Sequence, residues 1–366
     1  MSIPKFDPCE LEVIAEVPGY PGAPPSKIYN TPLSQHDHGV KAFTRRPWWQ
    51  MIQMVDTQMF SPSVIPDNIA RAFCIEGGEF RAFNDRDVNR DMFGIEWEYE
   101  ANIGGSIVRP GNPFLSDIAQ WHEKVIWPDI DSWDWEESVK LNKDFLTPNR
   151  FNQMWFQTGW FERLIAFLDF EGAVVAIFDE DSQEHVHKFF DKLTNLYIRI
   201  FDKAVSAYPE VHSFFIHDDW GGQQAPFFSP SVAEKMIVPY MKRITDFLHS
   251  KDKLCELHCC GNVVQMVPNM IAAGWDAWAP QLMNDISKIY ELYGDKILIG
   301  TMPQGLPPVG QFYALPEEEQ RRFAREYADT FCRADKPSYF NCYAAYYMTP
   351  AFRDEMYVQS RINYAK

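Results

Sequence analysis

Residues 213–262 read SFFIHDDWGGQQAPFFSPSVAEKMIVPYMKRITDFLHSKDKLCELHCCGN, and this stretch decides the fold class. It opens on an apolar run, Ser213–His217, that ends in two acids and two glycines. It closes on a second apolar run, Leu254–Cys259, that leads into Cys260-Gly261-Asn262. Between them a helical pattern begins at Ser229, a good N-cap residue, with Pro230 at the first helical position. A buried strand, a long helix and another buried strand imply a βα unit and a parallel sheet. The pattern extends in both directions. Apolar runs at Ala173–Phe178, Ala277–Pro280, Ile297–Thr301 and Ser338–Tyr343 also read as strands. The stretch LPEEEQRRFAREYADTF, residues 315–331, reads as a helix with acids in its first turn and bases one turn later. No Gly-rich dinucleotide or phosphate loop is present, so the expected class is α/β, a (β/α)8 TIM barrel ahead of a Rossmann-type sheet.

The chain has 366 residues, a length that barrels reach with insertions. Residues 1–45 read as an irregular N-terminal arm, because Pro18, Pro21, Pro24, Pro25 and Pro32 leave little room for regular structure. Residues 46–366 form the expected barrel, with residues 84–140 as an insertion or lid. The net charge of −17 makes nucleic acid and anionic membrane poor partners. No apolar run approaches the ~18 residues that span a bilayer. The first thirty residues lack the basic start and apolar centre of a secretory signal. Seven cysteines, an odd number spread over a large chain, argue against a disulfide framework and for a cytoplasmic setting.

Alternate side chains of a strand face the same way, so His258 and Cys260 point together just before a glycine turn. An imidazole and a thiolate side by side are half of a zinc site, and a catalytic zinc needs a third protein ligand and an open position. Cys342, at the end of the last apolar run, is the candidate third ligand, because all strand ends of a barrel ring one mouth. The competing reading is that these are small buried hydrophobes. Cys255 and Cys259 share the opposite strand face and read as core, and Cys332 reads as packing; Cys9 and Cys74 carry no signal. Asp218 and Asp219 follow a strand at the same mouth. They are candidates for general acids, outer-shell partners of a metal-bound histidine or substrate anchors, against the alternative of a cap on the next turn. Glu256 joins them as a group that could orient the site or manage a proton. His36 and His38 have metal-ligand spacing but lie in the arm, where solvated or turn roles are expected. His185 and His187 read as surface residues of a helix.

Together these features resemble the uroporphyrinogen decarboxylase superfamily, and most of all its cobamide-dependent methyltransferase branch. The residues that carry the resemblance are His258-Cys259-Cys260-Gly261-Asn262, similar to that branch's His-x-Cys-Gly motif. Asp218-Asp219-Trp220-Gly221, Ser229-Pro230, Pro239-Tyr240, Ala273-Gly274-Trp275-Asp276-Ala277 and Asp91-Met92-Phe93-Gly94 are similar as well. The likeness covers most of residues 60–345. It implies a zinc ion on His258, Cys260 and a late cysteine, which Cys342 matches, and a corrinoid (cobalamin-type) cofactor on a separate partner protein. The implied reaction moves a methyl group between the corrinoid and a small molecule, either a methyl donor or a thiol or tetrahydrofolate acceptor. Twelve Trp and 28 Phe tilt the expectation towards O-demethylation of a methoxylated aromatic. A decarboxylase of the namesake type on another substrate, or a non-catalytic zinc-stabilised binding protein, are the alternatives. A homodimer is compatible with all of these readings. One departure from the family concerns the namesake reaction. Where true decarboxylases carry substrate-binding arginines, this chain has Ile52 and Asp56, which cannot pair with carboxylates.

Overall fold

A computed structural model describes residues 3–17 and 26–366 of the chain. It divides into two compact units. The first comprises Met1–Gln58, Pro148–Phe151 and Asp276–Lys366, and the second Met59–Thr147 and Asn152–Trp275.

The second unit is built on three parallel strands: β1 (Phe151–Phe156), β2 (Val211–His217) and β3 (Leu254–His258). The helices α1 (Trp160–Phe178) and α2 (Glu180–Ala207) connect the first two strands. The helices α3 (Pro230–Met236) and α4 (Val238–Ser250) lie between the second and third. The strands are buried on both faces, as parallel strands covered on both sides must be, and mostly apolar, with buried polar exceptions that include Gln153, Ser213 and Glu256. Phe156 and Phe214 meet the α2 residues Tyr197 and Phe201 edge-on, with ring centroids 4.7–5.3 Å apart. Each such ring contributes about 1.5–3 kcal/mol by its burial. The alternate set of side chains, Trp155, Phe215 and His217, therefore faces away from α2. Register aligns Ser213 with Leu254, Phe215 with Glu256 and His217 with His258.

Two expectations change here. The run Ala173–Phe178 is not a strand but the end of α1. A short apolar run reads alike for a buried strand and a buried helix, and here the helix resumes after a break at Asp169, whose φ is +59°. Its carboxylate accepts the Gly111 amide at 2.6 Å. The helix expected to run on from Ser229 is two, α3 and α4, divided at Ile237. Pro239 has no N–H and its ring collides with the carbonyl four residues back, which breaks a continuous helix. Ser229 does cap α3, accepting the Val232 amide at 3.3 Å.

Residues 84–140 stand apart from the βα pattern. They hold an antiparallel sheet of Val88–Arg90, Glu96–Glu100 and Gly105–Ile107, followed by short helices. Asp91 anchors this segment. It accepts the amides of Phe93 and Ile95 and the Trp97 indole, and pairs with Arg163 of α1 at 2.6 Å. Arg163 also pairs with Asp67, and all three side chains are fully buried.

In the first unit β4 (Ala277–Trp278), β5 (Leu298–Thr301) and β6 (Ser338–Phe340) are again parallel. A parallel bridge joins Ile52 to Phe340, with backbone bonds from Phe340 N to Met51 O and from Gln53 N to Phe340 O. The helices α5 (Ile286–Tyr293), α6 (Glu317–Phe331) and α7 (Pro350–Tyr364) cover these strands. Tyr290, Phe312, Tyr327, Phe331, Phe340 and Phe352 fill the core. The arm proves more ordered than its prolines imply. Val13–Val17 pairs antiparallel with Ser26–Tyr29, and Gln35–Phe43 is a helix capped by Ser34. Pro18, Pro21, Pro24 and Pro25 lie outside the described residues. His38 is not solvated: it is buried, stacked on Trp49 at 3.6 Å, with Nε2 donating to the Trp49 carbonyl at 3.0 Å. Glu10 is tied to the chain's last helix by Arg361 Nε at 2.9 Å and the Tyr357 hydroxyl at 2.6 Å.

Among the described residues no helix is long and apolar enough to cross a membrane.

Candidate metal centre

The residues that end β2 and β3 converge. His217 and His258 are register partners, and their rings stack with centroids 4.6 Å apart. His258 Nε2 lies 3.1 Å from Cys260 Sγ, so the strand-face pair read from the sequence is a real contact. Asp219 Oδ1 accepts the Cys260 amide at 2.6 Å and stands 3.7 Å from His217 Nε2. One donor atom from each of His217, Asp219, His258 and Cys260 lies within 4.8 Å of the others. A tetrahedral zinc with bonds of about 2.0–2.3 Å sets its donors about 3.3–3.8 Å apart. Two imidazoles, a carboxylate and a thiol fit such an ion in number and kind, and the 3.1 Å and 3.7 Å separations lie close to its spacing.

Glycines make the convergence of the two strand ends feasible. Gly261 has φ +96°, and a Cβ there would lie 2.3 Å from the Gly221 carbonyl group. A Cβ on Gly221 would in turn meet Val263 at 2.7 Å. The close approach is locked by the Asn262 amide, which donates to the Gly222 carbonyl at 2.8 Å.

Behind the cluster stands a chain of charge. His217 Nδ1 donates to Glu162 Oε2 at 2.6 Å, and Arg71 Nη1 donates to Glu162 Oε1 at 2.7 Å. Glu162 sits in the first turn of α1. With Nδ1 so engaged, His217 presents Nε2 to the cluster, which is how a carboxylate orients a metal-binding histidine. Burial lowers the pKa of His217, but the Glu162 and Asp219 carboxylates outweigh it and leave the net shift upward. His258 is pushed down to about 3 by burial and by His217 beside it, so it is the neutral imidazole a metal requires. Burial works against the Asp219 carboxylate, yet the two histidines hold it below its usual range. The Cys260 thiol is pushed up by burial and by Asp219. A cation at the site would reverse that direction and favour the thiolate.

The other candidates separate by role. Asp218 accepts the Glu162 amide at 3.0 Å and the Trp220 indole at 2.9 Å. It is fully buried and packs where a Cβ on Gly159 would lie 2.4 Å from its own. Burial and the Glu162 charge push it up to about 7. Its contacts make it the cap of α1 and a clamp on the loop after β2. Glu256 is buried on the strand face it shares with His258 and accepts from Gln153 Nε2 at 2.9 Å. Cys255 and Cys259 are fully buried core, and Cys332 is buried too. Cys342 belongs to the first unit, half-buried at the start of the short helix after β6, where its amide donates to Gln53 Oε1 at 3.3 Å. Sequence reading missed Glu162 and Arg71. Neither lies in a recognisable motif, and only the packing of α1 and the segment after Pro66–Ala70 brings them to His217.

Comparison with known proteins sets the class. Residues 170–322 match the uroporphyrinogen decarboxylase (URO-D) family, the stretch that carries β2, β3 and the cluster's four residues. A solved methyltransferase from Methanosarcina mazei has a similar fold, with a TM-score of 0.57 and 16% identity over 90% of this chain and 98% of that one. That likeness is one of architecture, and it supports the α/β, TIM-barrel-like class expected from the alternation of strands and helices. No curated protein sequence matches the chain.

Proposed function

We propose that the chain is a zinc-dependent methyltransferase that moves a methyl group between a small molecule and the cobalt of a corrinoid carried by a separate protein. The observation that carries this reading is the His217, Asp219, His258 and Cys260 cluster in a stretch that matches the URO-D family. The methyltransferase of similar fold adds support. In this proposal His258, Cys260 and Cys342 hold the zinc. A zinc ion there supplies Lewis acidity to an ether oxygen, or lowers the pKa of a thiol. The favoured donor is a methoxylated aromatic, since the cluster is walled by rings: Phe215 lies 5.6 Å from His258 and stacks on Trp155 at 3.8 Å.

The chain's own groups then have defined tasks. Glu162 fixes the His217 tautomer, so that Nε2 is free to take or return the proton of a thiol, alcohol or phenol. Asp219 stabilises the charge that His217 gains. Phe215 and Trp155 make the His258 side of the cluster less polar and so strengthen both interactions.

The namesake decarboxylation fits poorly. Asp56, at one of the positions where that family's arginines fall, accepts the Ile52 amide at 2.7 Å and has its pKa raised by burial. Ile52 is an apolar core residue. Neither side chain can grip a substrate rich in carboxylates.

The test uses zinc-loaded enzyme, a Co(I) corrinoid protein encoded beside it, and a panel of methoxyarenes, methanol, methylamines and methyl thioethers. Methyl-Co(III) formation is followed by absorbance. The reverse assay offers methylcobalamin to thiols and tetrahydrofolate. Methyl transfer in one direction is expected, and His258→Ala is expected to lose most of it. Silence in both directions rules the reading out.

A further inference from the structure

β1 lines the cluster with buried polar groups that lack partners. Gln153 and Trp155 share the strand face turned away from α2, and Gln157 continues that alternation one step past the strand. The neighbours fix the parity. Gln153 Nε2 donates to Glu256 at 2.9 Å, Trp155 lies flat against Phe215, and the intervening Phe156 packs on α2. Register ends with Phe156 beside Ile216, and Gln157 and His217 are the next residues of their two segments.

Trp155 offers only an edge. Phe215 covers one face at 3.8 Å and Phe73 lies against the ring at 4.6 Å, both nearly parallel to it. Its indole Nε1–H has no acceptor, although the residue is only 7% exposed. Gln157 Nε2 also has no partner, in a residue 5% exposed. Buried donors are nearly always paired, and leaving one unpaired carries a desolvation penalty. Two such donors on successive positions of one strand face, at the end of the strand that pairs with β2, form a place for an acceptor.

The surrounding charge selects the kind of acceptor. Arg71 is already bound to Glu162 and lies over the Trp97 ring at 4.8 Å. Asp219 and Glu162 add two carboxylates near His217. An anionic ligand group would meet two neutral donors and two nearby acids. A neutral oxygen meets the same donors without that repulsion.

We propose that Trp155 Nε1 and Gln157 Nε2 form the polar end of the substrate subsite and hold a neutral carbonyl-type oxygen of the small molecule. The inference rests on the reading of the His217–Cys260 cluster as the reacting centre, and it adds what the substrate presents at its other end. The substrate class is then a methoxylated aromatic that also bears an aldehyde, ketone or amide oxygen, rather than a carboxylate or a bare ring.

The experiment is calorimetric binding of three probes of similar size to the full chain, with and without zinc: 4-methoxyacetophenone, 4-methoxybenzoate and methoxybenzene. The ketone is expected to bind about tenfold more tightly than methoxybenzene, the effect of one or two otherwise unpaired donors. Trp155→Phe keeps the ring stack but removes the N–H, and Gln157→Leu removes the amide. Each is expected to erase most of the preference, read as the ratio of the ketone's affinity to that of methoxybenzene in the same variant. Gln157→Glu replaces a donor by an acceptor and is expected to reject the ketone, which keeps the test informative if the Trp155 variant fails to fold. Equal binding of ketone and methoxybenzene, tightest binding of the carboxylate, no measurable binding of any probe, or an unchanged preference in the variants would each overturn the proposal. Selective binding that depends on Trp155 and Gln157, with no methyl transfer, would sustain it and sink the methyltransferase reading instead.

Discussion

His217 can offer a cation only Nε2, because Nδ1 is held by Glu162 at 2.6 Å and Glu162 is itself held by Arg71. Removing that hold frees the ring to turn and to change tautomer. Glu162→Leu is therefore expected to lower methyl transfer about 10–100-fold while zinc content stays the same, since His217 handles a proton and is not one of the three proposed ligands. Turnover set beside elemental zinc analysis measures it. Glu162→Gln, which retains an acceptor oxygen, is expected to recover much of the rate, and equal loss in both variants would show that charge rather than orientation matters. A second histidine gives a test of a different kind, far from any metal chemistry. His38 is buried against Trp49, and burial depresses its pKa to about 3. The folded protein keeps it neutral while the unfolded chain protonates it below about 6.5. The unfolded state then binds more protons, so the stability this residue contributes is full above about 6.5 and drains away as pH falls towards 3. At pH 5 the loss is about 2 kcal/mol. Denaturant melts at pH 7 and pH 5 should show that much less acid sensitivity in His38→Phe, and an unchanged slope would remove His38 as its source.

The cluster exists because the turn after β3 presses against the loop after β2. Gly261 at φ +96° has no room for a Cβ against Gly221. Gly261→Ala must push the turn outwards, and Cys260, next to it in the chain, moves with it. The expected result is a well-folded protein, with circular dichroism unchanged, that has lost most of its zinc affinity. Unaltered zinc content in that variant would show that the close approach of the two loops is not what sets the donor geometry. The same elements show how far sequence could be read. Ser213–His217 and Leu254–Cys259 were legible as strands because both faces are buried and the runs end in turn residues. His258 with Cys260 was legible because strand alternation is local. Ala173–Phe178 was not, since six apolar residues carry no period that separates strand from helix. β1 went unread as well: its Asn152 and Gln153 break the apolar run, although both are buried in the structure.

At the scale of the whole chain, the features hidden from the sequence are those joined by packing between distant segments. Glu162 with Arg71, and Arg163 with Asp67 and Asp91, are pairings of residues 72–96 positions apart. No spacing rule addresses such distances. Cys342 is the opposite case, a ligand assignment read wholly from sequence, from the end of an apolar run and a family resemblance. The structure adds a rival to it, because His217 and Asp219 stand within donor range of His258 and Cys260. The two sets predict different chemistry. A His–Cys–Cys zinc carries two thiolates and leaves His217 and Asp219 free to handle a proton. A site completed by His217 and Asp219 has four protein donors and is closed, as structural zinc sites are. The expectation is about one zinc per purified chain, with Cys342→Ala losing most of it, Cys332→Ala losing none, and His217→Ala still retaining it. Zinc is read by elemental analysis and by the metal-dependent rise in melting temperature, since a ligand that binds only the folded state stabilises it. Full occupancy in Cys342→Ala together with loss in His217→Ala and Asp219→Asn would transfer the ligand roles to the four clustered residues. The open position would then be gone, and with it the case for zinc as the catalytic ion.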